Sequence, residues 1–178
     1  MRRILFYCIL LIPFTLRAQP RWHVETASIT FEIKNAGFPV RGSFEGLEAD
    51  IRFDPARPGR STIVASIDAS SVRTGIGLRD QHLRGRDYFD VQHHPQIHMD
   101  CVRIEKTESD AFTGLFRLQI KEVVQSVTVP FTFAPRGRRG RLEGHFALNR
   151  LDFGLGGPSP ILADDVLVRL EVGVAQAE

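Results

Sequence analysis

From Trp22 to the end of the chain, apolar and polar residues alternate with a period of two. Ile29, Phe31 and Ile33 are interleaved with Thr30, Glu32 and Lys34, and Leu47, Ala49, Ile51 and Phe53 with Glu48, Asp50, Arg52 and Asp54. The pattern returns at Ile63, Ala65, Ile67; at Ile97, Met99, Cys101; at Phe116, Leu118, Ile120; and at Val127, Val129, Phe131, Phe133. Leu142, Gly144, Phe146, Leu148 and then Val166, Val168, Leu170, Val172, Val174 complete it. Such alternation predicts strands with one dry face and one wet face. Turn residues separate the runs: Gly37 with Pro39, the segment Asp54-Pro55-Ala56-Arg57-Pro58-Gly59, and Pro135 with Gly137 and Gly140. Gly42 and Gly46 interrupt the long run Val40 to Asp54, where glycine points to a bulge or bend. With that kinked run counted once, about eight antiparallel strands are predicted.

Between Ser70 and Val91 the period of two fails. Ser71 or Thr74 is placed to cap a helix, and Asp80 and Arg84 stand four apart with the acid first, a favourable helical pair. A short helical segment is therefore expected between the third and fourth strands. Eight alternating strands predict an all-β fold, an antiparallel barrel, because closure removes exposed edges. Eight strands leave an interior that side chains just fill or that holds one small ligand. A membrane barrel would turn the apolar faces outward to lipid. The charged wet faces, the helical segment and the lack of aromatic girdles disfavour it.

The start of the chain differs. Arg2 and Arg3 precede a thirteen-residue apolar run, Ile4 to Leu16, followed by Arg17-Ala18-Gln19. This reads as an export signal over residues 1–18, too short to span a bilayer, with cleavage expected after Ala18 and one barrel domain over residues 19–178. The net charge of +2 then loses its meaning. Without Arg2, Arg3 and Arg17, the 23 basic residues become 20 against 21 acidic ones, which gives no basis for nucleic-acid binding. Cys8 falls in the signal, so Cys101 is the only thiol of the exported domain and no internal disulfide is possible. Cys101 reads as a small buried hydrophobe, with a cross-linked homodimer as the other option.

Several spaced motifs resemble the polyisoprenoid-binding YceI-like family over nearly all of residues 19–178. Trp22 with Ser28, Ile29 and Phe31 is similar to its first strand, and Val40-x-Gly42-x-Phe44 with Phe53-Asp54-Pro55 to its second. Ser71-Val72-x-Thr74-Gly75 resembles the entry to its helical segment. The most specific stretch is Arg79-Asp80-Gln81-His82-Leu83-Arg84, then Asp87-Tyr88-Phe89-Asp90-Val91 and His94-Pro95-x-Ile97. Asn149-Arg150-x-Asp152-Phe153-Gly154 and Asp164-Asp165-Val166 follow in the same order. Two positions depart: Asn35 stands where many members have histidine, and the hairpin Lys121 to Ser126 lacks the usual glycine. The resemblance implies a lipocalin-like, usually periplasmic barrel enclosing a long amphiphile such as a polyisoprenoid, an isoprenoid quinone or a fatty amide, with no catalytic residues and no cofactor.

Physical chemistry favours tail burial over headgroup recognition: each buried methylene contributes about 0.8 kcal/mol, so a tail of roughly ten or more carbons outweighs a neutral hydrogen bond worth about 1 kcal/mol. The expected lumen residues are Phe31, Ile33, Phe44, Ile51, Ile63, Ile67, Met99, Leu118, Val129, Phe131, Phe146 and Leu148, with Ser70 to Val91 as a cap or gate. A second set, Arg79, Asp80, Arg150, Asp152 and Asp165, is expected to meet near one barrel end. There it would pin the helical segment or form a polar mouth. Arg136-Gly137-Arg138-Arg139-Gly140-Arg141 is the densest basic run and reads as a solvated hairpin tip, or as a transient contact with an anionic membrane or a contact with a pyrophosphate. Arginine outnumbers lysine 20 to 3 in the chain, so much of that run is background usage. His94, His98 and Asp100 share strand parity but fall on a wet face, and no metal is expected. Gly75-Ile76-Gly77 lacks the third glycine of a dinucleotide loop, and no nucleophile accompanies His82 and Asp80, so no enzyme is expected. The competing expectation is an envelope interaction scaffold with a packed barrel.

Overall fold

The computed structural model describes residues 19–177; the expected export signal, 1–18, lies outside them. Nine strands follow one another: β1 (Arg21–Asn35), β2 (Phe38–Phe44), β3 (Glu48–Arg52), β4 (Thr62–Asp68), β5 (Gln96–Lys106), β6 (Ala111–Ile120), β7 (Val123–Arg136), β8 (Arg139–Asn149) and β9 (Leu162–Gln176). Every neighbouring pair is antiparallel, and β9 returns to pair with β1 along most of its length. This closes the barrel. β2 and β3 both pair with β1 and are two halves of one bent strand, so the barrel has the eight strands that the alternation predicts. The bend sits at Gly46, with φ of 77°. Gly42 lies in regular register opposite Phe31, and a Cβ there would run into the Phe31 ring. Only Gly46 is a bend; Gly42 makes room for a side chain.

Ala36 and Gly37, both at positive φ (50° and 82°), form the two-residue β1–β2 turn expected of a twisted hairpin. The β6–β7 turn uses no glycine: Lys121 itself takes a φ of 54°. Among the described residues the one α-helix, α1 (Gly77–Arg84), lies between the third and fourth strands when β2 and β3 are counted together. Its start differs from expectation. Ile76 occupies the N-cap position without a side-chain bond, Ser71 lies in a 3-10 turn, and Thr74 donates its backbone N–H and its hydroxyl to Asp80. Arg84 does not pair with Asp80 but donates to the carbonyls of Ser70 and Val72 at 2.6 and 3.0 Å, which ties the helix end to its own entry segment.

The apolar faces point inward and form two regions. At one pole Trp22, Phe53, Phe112, Phe131 and Phe133 pack with Ile51, Ile104, Val172 and Val174. Trp22 anchors this group by donating its indole N–H to the Phe53 carbonyl at 2.9 Å. Above it, the walls carry Phe116, Leu118, Ile120, Val127, Val129 and Phe146, joined by Ala69, Val72 and Phe89 from the helical segment. At this helix pole β7 and β8 part: β7 pairs with β8 only from Phe131 onward, and β8 beyond Gly144 pairs with β9 alone. A 3-10 turn, Arg150–Phe153, enters the wedge and buries Phe153, with Leu155 beside it. Outside, the wet faces carry ion pairs such as Arg21–Asp50, Arg41–Glu32 and Arg141–Glu171.

Candidate ligand cavity

A cavity of about 440 Å³ runs through the barrel from the aromatic plug to the helix pole. All twelve side chains assigned to the lumen from alternation line it, including Phe31, Met99, Phe131 and Leu148. Strand parity places them, since alternate residues of a closed sheet point to its axis. The interior stays hollow because small residues face one another: Ala49 is opposite Ala65 across β3 and β4, and Gly144 lies beside Phe131 and Val129. Further lining comes from Leu83, Tyr88 and Phe89 of the helical segment, where no strand period exists to expose them in the sequence. Phe89 meets Phe44 edge to face at 5.4 Å, and Phe44 lies 5.6 Å from Phe31, so the segment is packed into the barrel side through aromatic contacts.

The polar set does not converge as expected. It divides into two unconnected groups. Arg79 donates to the Thr74 hydroxyl and carbonyl at 2.6 and 2.8 Å, and the Asp80 carboxylate accepts from the same residue. The Thr74 hydroxyl bond, then its backbone N–H and the charges of Arg84 and Arg79, hold the Asp80 carboxyl below the usual carboxylate range against the opposing effect of burial. Arg150, 2% exposed, serves a different loop. Its guanidinium donates to the carbonyls of Leu155, Gly157 and Ala163 at 2.9 Å, to that of Leu162 at 3.4 Å, and to the Asp164 carboxylate at 2.9 Å. Asp152 and Asp165 are exposed and take no part. The reason is local: the chain leaves β8 through the 3-10 turn and Gly154 at positive φ, so strand parity does not carry from Leu148 to Asp152. Arg79 and Arg150 both line the lumen; the donors of Arg150 are engaged by the loop, and Arg79 is held by two bonds to Thr74.

The basic hairpin lies at the aromatic pole, opposite α1, since Arg139 pairs in register with Ala175 and Arg136. Arg139 and Arg141 are bound to Glu25 and Glu171 at 3.0 and 2.8 Å. Cys101 packs inward against both apolar regions, where burial pushes its thiol pKa up. Among the described residues no three His, Cys, Asp or Glu side chains converge as a metal site. The pattern missed Arg86 and Lys121. They stand at the helix pole beside His82 and Tyr88; Arg86 falls in the gap between the stretches Arg79–Arg84 and Asp87–Val91, and Lys121 opens the glycine-free hairpin.

A family model described as a YceI-like domain matches residues 22–174. A UPF0312 protein of Azotobacter vinelandii is 26% identical over 136 residues, which cover 72% of this chain and 71% of that protein. A UPF0312 protein of Yersinia pestis is 29% identical over 112 residues, covering 62% and 58%. The crystal structure of Burkholderia cenocepacia BcnA is similar with a TM-score of 0.79 and 25% identity, over 83% of this chain and 95% of that one. A polyisoprenoid binding domain from Saccharophagus degradans shares the fold, with a TM-score of 0.71 and 13% identity over 90% and 100% of the two chains.

Proposed function

From the premise that the chain belongs to the YceI-like family, we propose that it binds a long-chain amphiphilic lipid in the barrel lumen and carries or sequesters it in the cell envelope. The observation that carries this reading is the cavity of about 440 Å³ with a wall that is apolar almost throughout. Its volume lies in the range of small-molecule sites, about 300–1,000 Å³. A hydrocarbon tail placed there loses contact with water at about 0.8 kcal/mol per methylene. No polar group deep in the lumen selects one tail over another, so polyisoprenoid, isoprenoid quinone and fatty amide tails all fit its chemistry. The description of the Saccharophagus degradans domain as polyisoprenoid binding supports the same class of ligand. In this reading the segment with Leu83, Tyr88 and Phe89 caps the lumen, and residues 1–18 direct export.

The test fills the lumen. Ala65 lies at the wall opposite Ala49, with open space before it. Titration with a fluorescent prenyl or fatty-acyl probe is expected to show saturable one-to-one uptake. In Ala65→Phe the affinity is expected to fall at least about tenfold with little change in thermal stability, because the ring enters existing space. Unchanged uptake by Ala65→Phe would place the probe elsewhere, and no saturable uptake by the wild type would end the proposal.

A further inference from the structure

Among the described residues seven large apolar side chains are more exposed than buried. Val64, Val102 and Val124 stand singly on β4, β5 and β7, which is ordinary for a protein surface. Phe38, Ile76, Leu78 and Ile161, 54% to 79% exposed, all belong to the helix pole. Phe38 and Ile161 flank the end of β1: Asn35 pairs with Phe38 on one side and with Leu162 on the other, and the Ala36 N–H donates to the Ile161 carbonyl at 2.7 Å. Ile76 and Leu78 come from the other side of β2. An isolated antiparallel bridge joins Ser43 to Arg73, so β2 followed backward to Phe38 and the helix entry followed forward to Ile76 head for the same end.

The lumen reaches the surface among these four. Phe38 keeps the inward parity of Val40 and Phe44, but at a height where no wall faces it. Leu162, directly after Ile161, lines the lumen, and so do Thr74 and Arg79 on either side of Ile76 and Leu78. Apolar side chains gathered at such a rim gain free energy only from a second apolar phase. They sit on three separate segments, the β1–β2 turn, the helix entry and the loop before β9, and form neither a groove nor a flat plate. A protein partner would need a fitted pocket for each, whereas a fluid leaflet admits each separately. The arginines of β2 and of the helix entry are matched, Arg41 to Glu32 at 2.8 Å and Arg73 to Glu45 at 3.7 Å, so attraction here comes from apolar burial. We propose that the helix-pole rim docks on a lipid bilayer, with Phe38, Ile76, Leu78 and Ile161 entering the leaflet and the lumen opening onto it. A tail then passes between leaflet and lumen without crossing water. The inference rests on the lumen-binding reading and gives it a membrane-facing end, with the basic hairpin of the aromatic pole turned away.

The test is co-flotation of the chain from residue 19 onward with phosphatidylcholine vesicles. The closed barrel lies wholly within those residues, and the apolar run 4–16 would bind vesicles by itself. Phe38→Ser combined with Leu78→Gln is expected to lower partitioning at least about tenfold, and added salt to change it by less than about twofold. Ile161→Ser alone is expected to lower it about threefold, which keeps the test open if the paired variant does not fold. Val64→Ser with Val102→Ser, and Arg136→Ser with Arg138→Ser at the opposite pole, are each expected to change it by less than about twofold. All the apolar targets are exposed, so the fold is expected to survive, with thermal melting as the check. The rim variant is also expected to take up the fluorescent prenyl probe more slowly from vesicles, with unchanged affinity for probe added from solution. No flotation of the wild type, equal flotation of wild type and rim variants, or loss in the hairpin variant alone would overturn the inference and leave the lumen reading standing. A wild-type dimer in sedimentation that the rim variant dissociates would assign the rim to a second copy and overturn it as well. A wild type that takes up no probe from either source would remove the lumen reading itself, a result read separately from flotation.

Discussion

The two poles of this barrel are built from the same alternating strands and differ in what faces the axis. At the aromatic pole, Phe53 meets Phe112, Phe131 and Phe133 at centroid distances of 5.1, 5.8 and 5.2 Å, mostly edge to face, and Trp22 meets Phe133 at 5.2 Å. Large rings from several strands meet there and leave no lumen. Toward the helix pole, alanine faces alanine and the β7–β8 pairing opens, so the walls stay apart. Period-two patterning decides which way a side chain points, and side-chain size decides whether the centre fills. One pole supplies packing, and the other forgoes packing and gains a space for a guest.

If that division holds, equal truncations have unequal costs. Phe53→Ala removes a ring with 0% exposure and is expected to cost about 3–5 kcal/mol in urea unfolding. Phe44→Ala, at the half-buried wall of the lumen, is expected to cost about 1–2 kcal/mol, because its ring already borders open space. The second variant is also expected to weaken uptake of a tail probe, and the first to leave it intact in the fraction that folds. Comparable losses of stability at the two positions would show that the lumen wall is as tightly packed as the plug.

At the helix pole the organising element is polar, and Arg150 tests it. Arg150→Met leaves the carbonyls of Leu155, Gly157, Leu162 and Ala163 without their donor and is expected to cost about 3 kcal/mol. Asp164→Asn should cost less than about 1 kcal/mol, since that carboxylate is 45% exposed and an amide oxygen still accepts. Equally large losses from Asp164→Asn and Arg150→Met would mean that the ion pair, and not the carbonyl cage, holds the loop. Chemical denaturation of both variants decides between the two.

These differences also explain what could be read from the sequence. Strand count, closure and the inward parity of residues such as Ile63, Met99 and Leu118 follow from alternation, because a closed sheet has only two faces. The kink could be anticipated from Gly46, but the role of Gly42 depends on a ring across the strand, which a one-dimensional pattern does not contain. Leu83, Tyr88 and Phe89 escape because their segment has neither helical nor strand periodicity over a useful length. Arg150 was recognisable as a site residue, whereas its partners come from a loop after a positive-φ glycine, where parity ends. Arg86 and Lys121 look like ordinary surface cations until the fold brings them to one open depression at the helix pole.

The smallest effect concerns how the helical segment is fastened. Asp80 accepts from the Thr74 hydroxyl, and this bond is the leading cause of its lowered pKa. A carboxyl whose pKa is lower folded than unfolded binds fewer protons in the folded state. Its stabilising contribution is complete above the unfolded value, about 3.9, and is lost as pH falls through the folded value. Thr74→Val keeps the shape and removes the hydroxyl, so the Asp80 pKa rises toward its ordinary value. The wild type is therefore expected to melt at a higher temperature than Thr74→Val at pH 7, with the gap narrowing below about pH 4. Glu32, Asp54 and Asp90 also have lowered pKa values, and their acid dependence is common to both proteins and cancels in the difference. A gap that stays constant from pH 7 to pH 2.5 would mean that Thr74 acts through packing or through its bond from Arg79, and that the charge of Asp80 does not fasten the cap to the barrel.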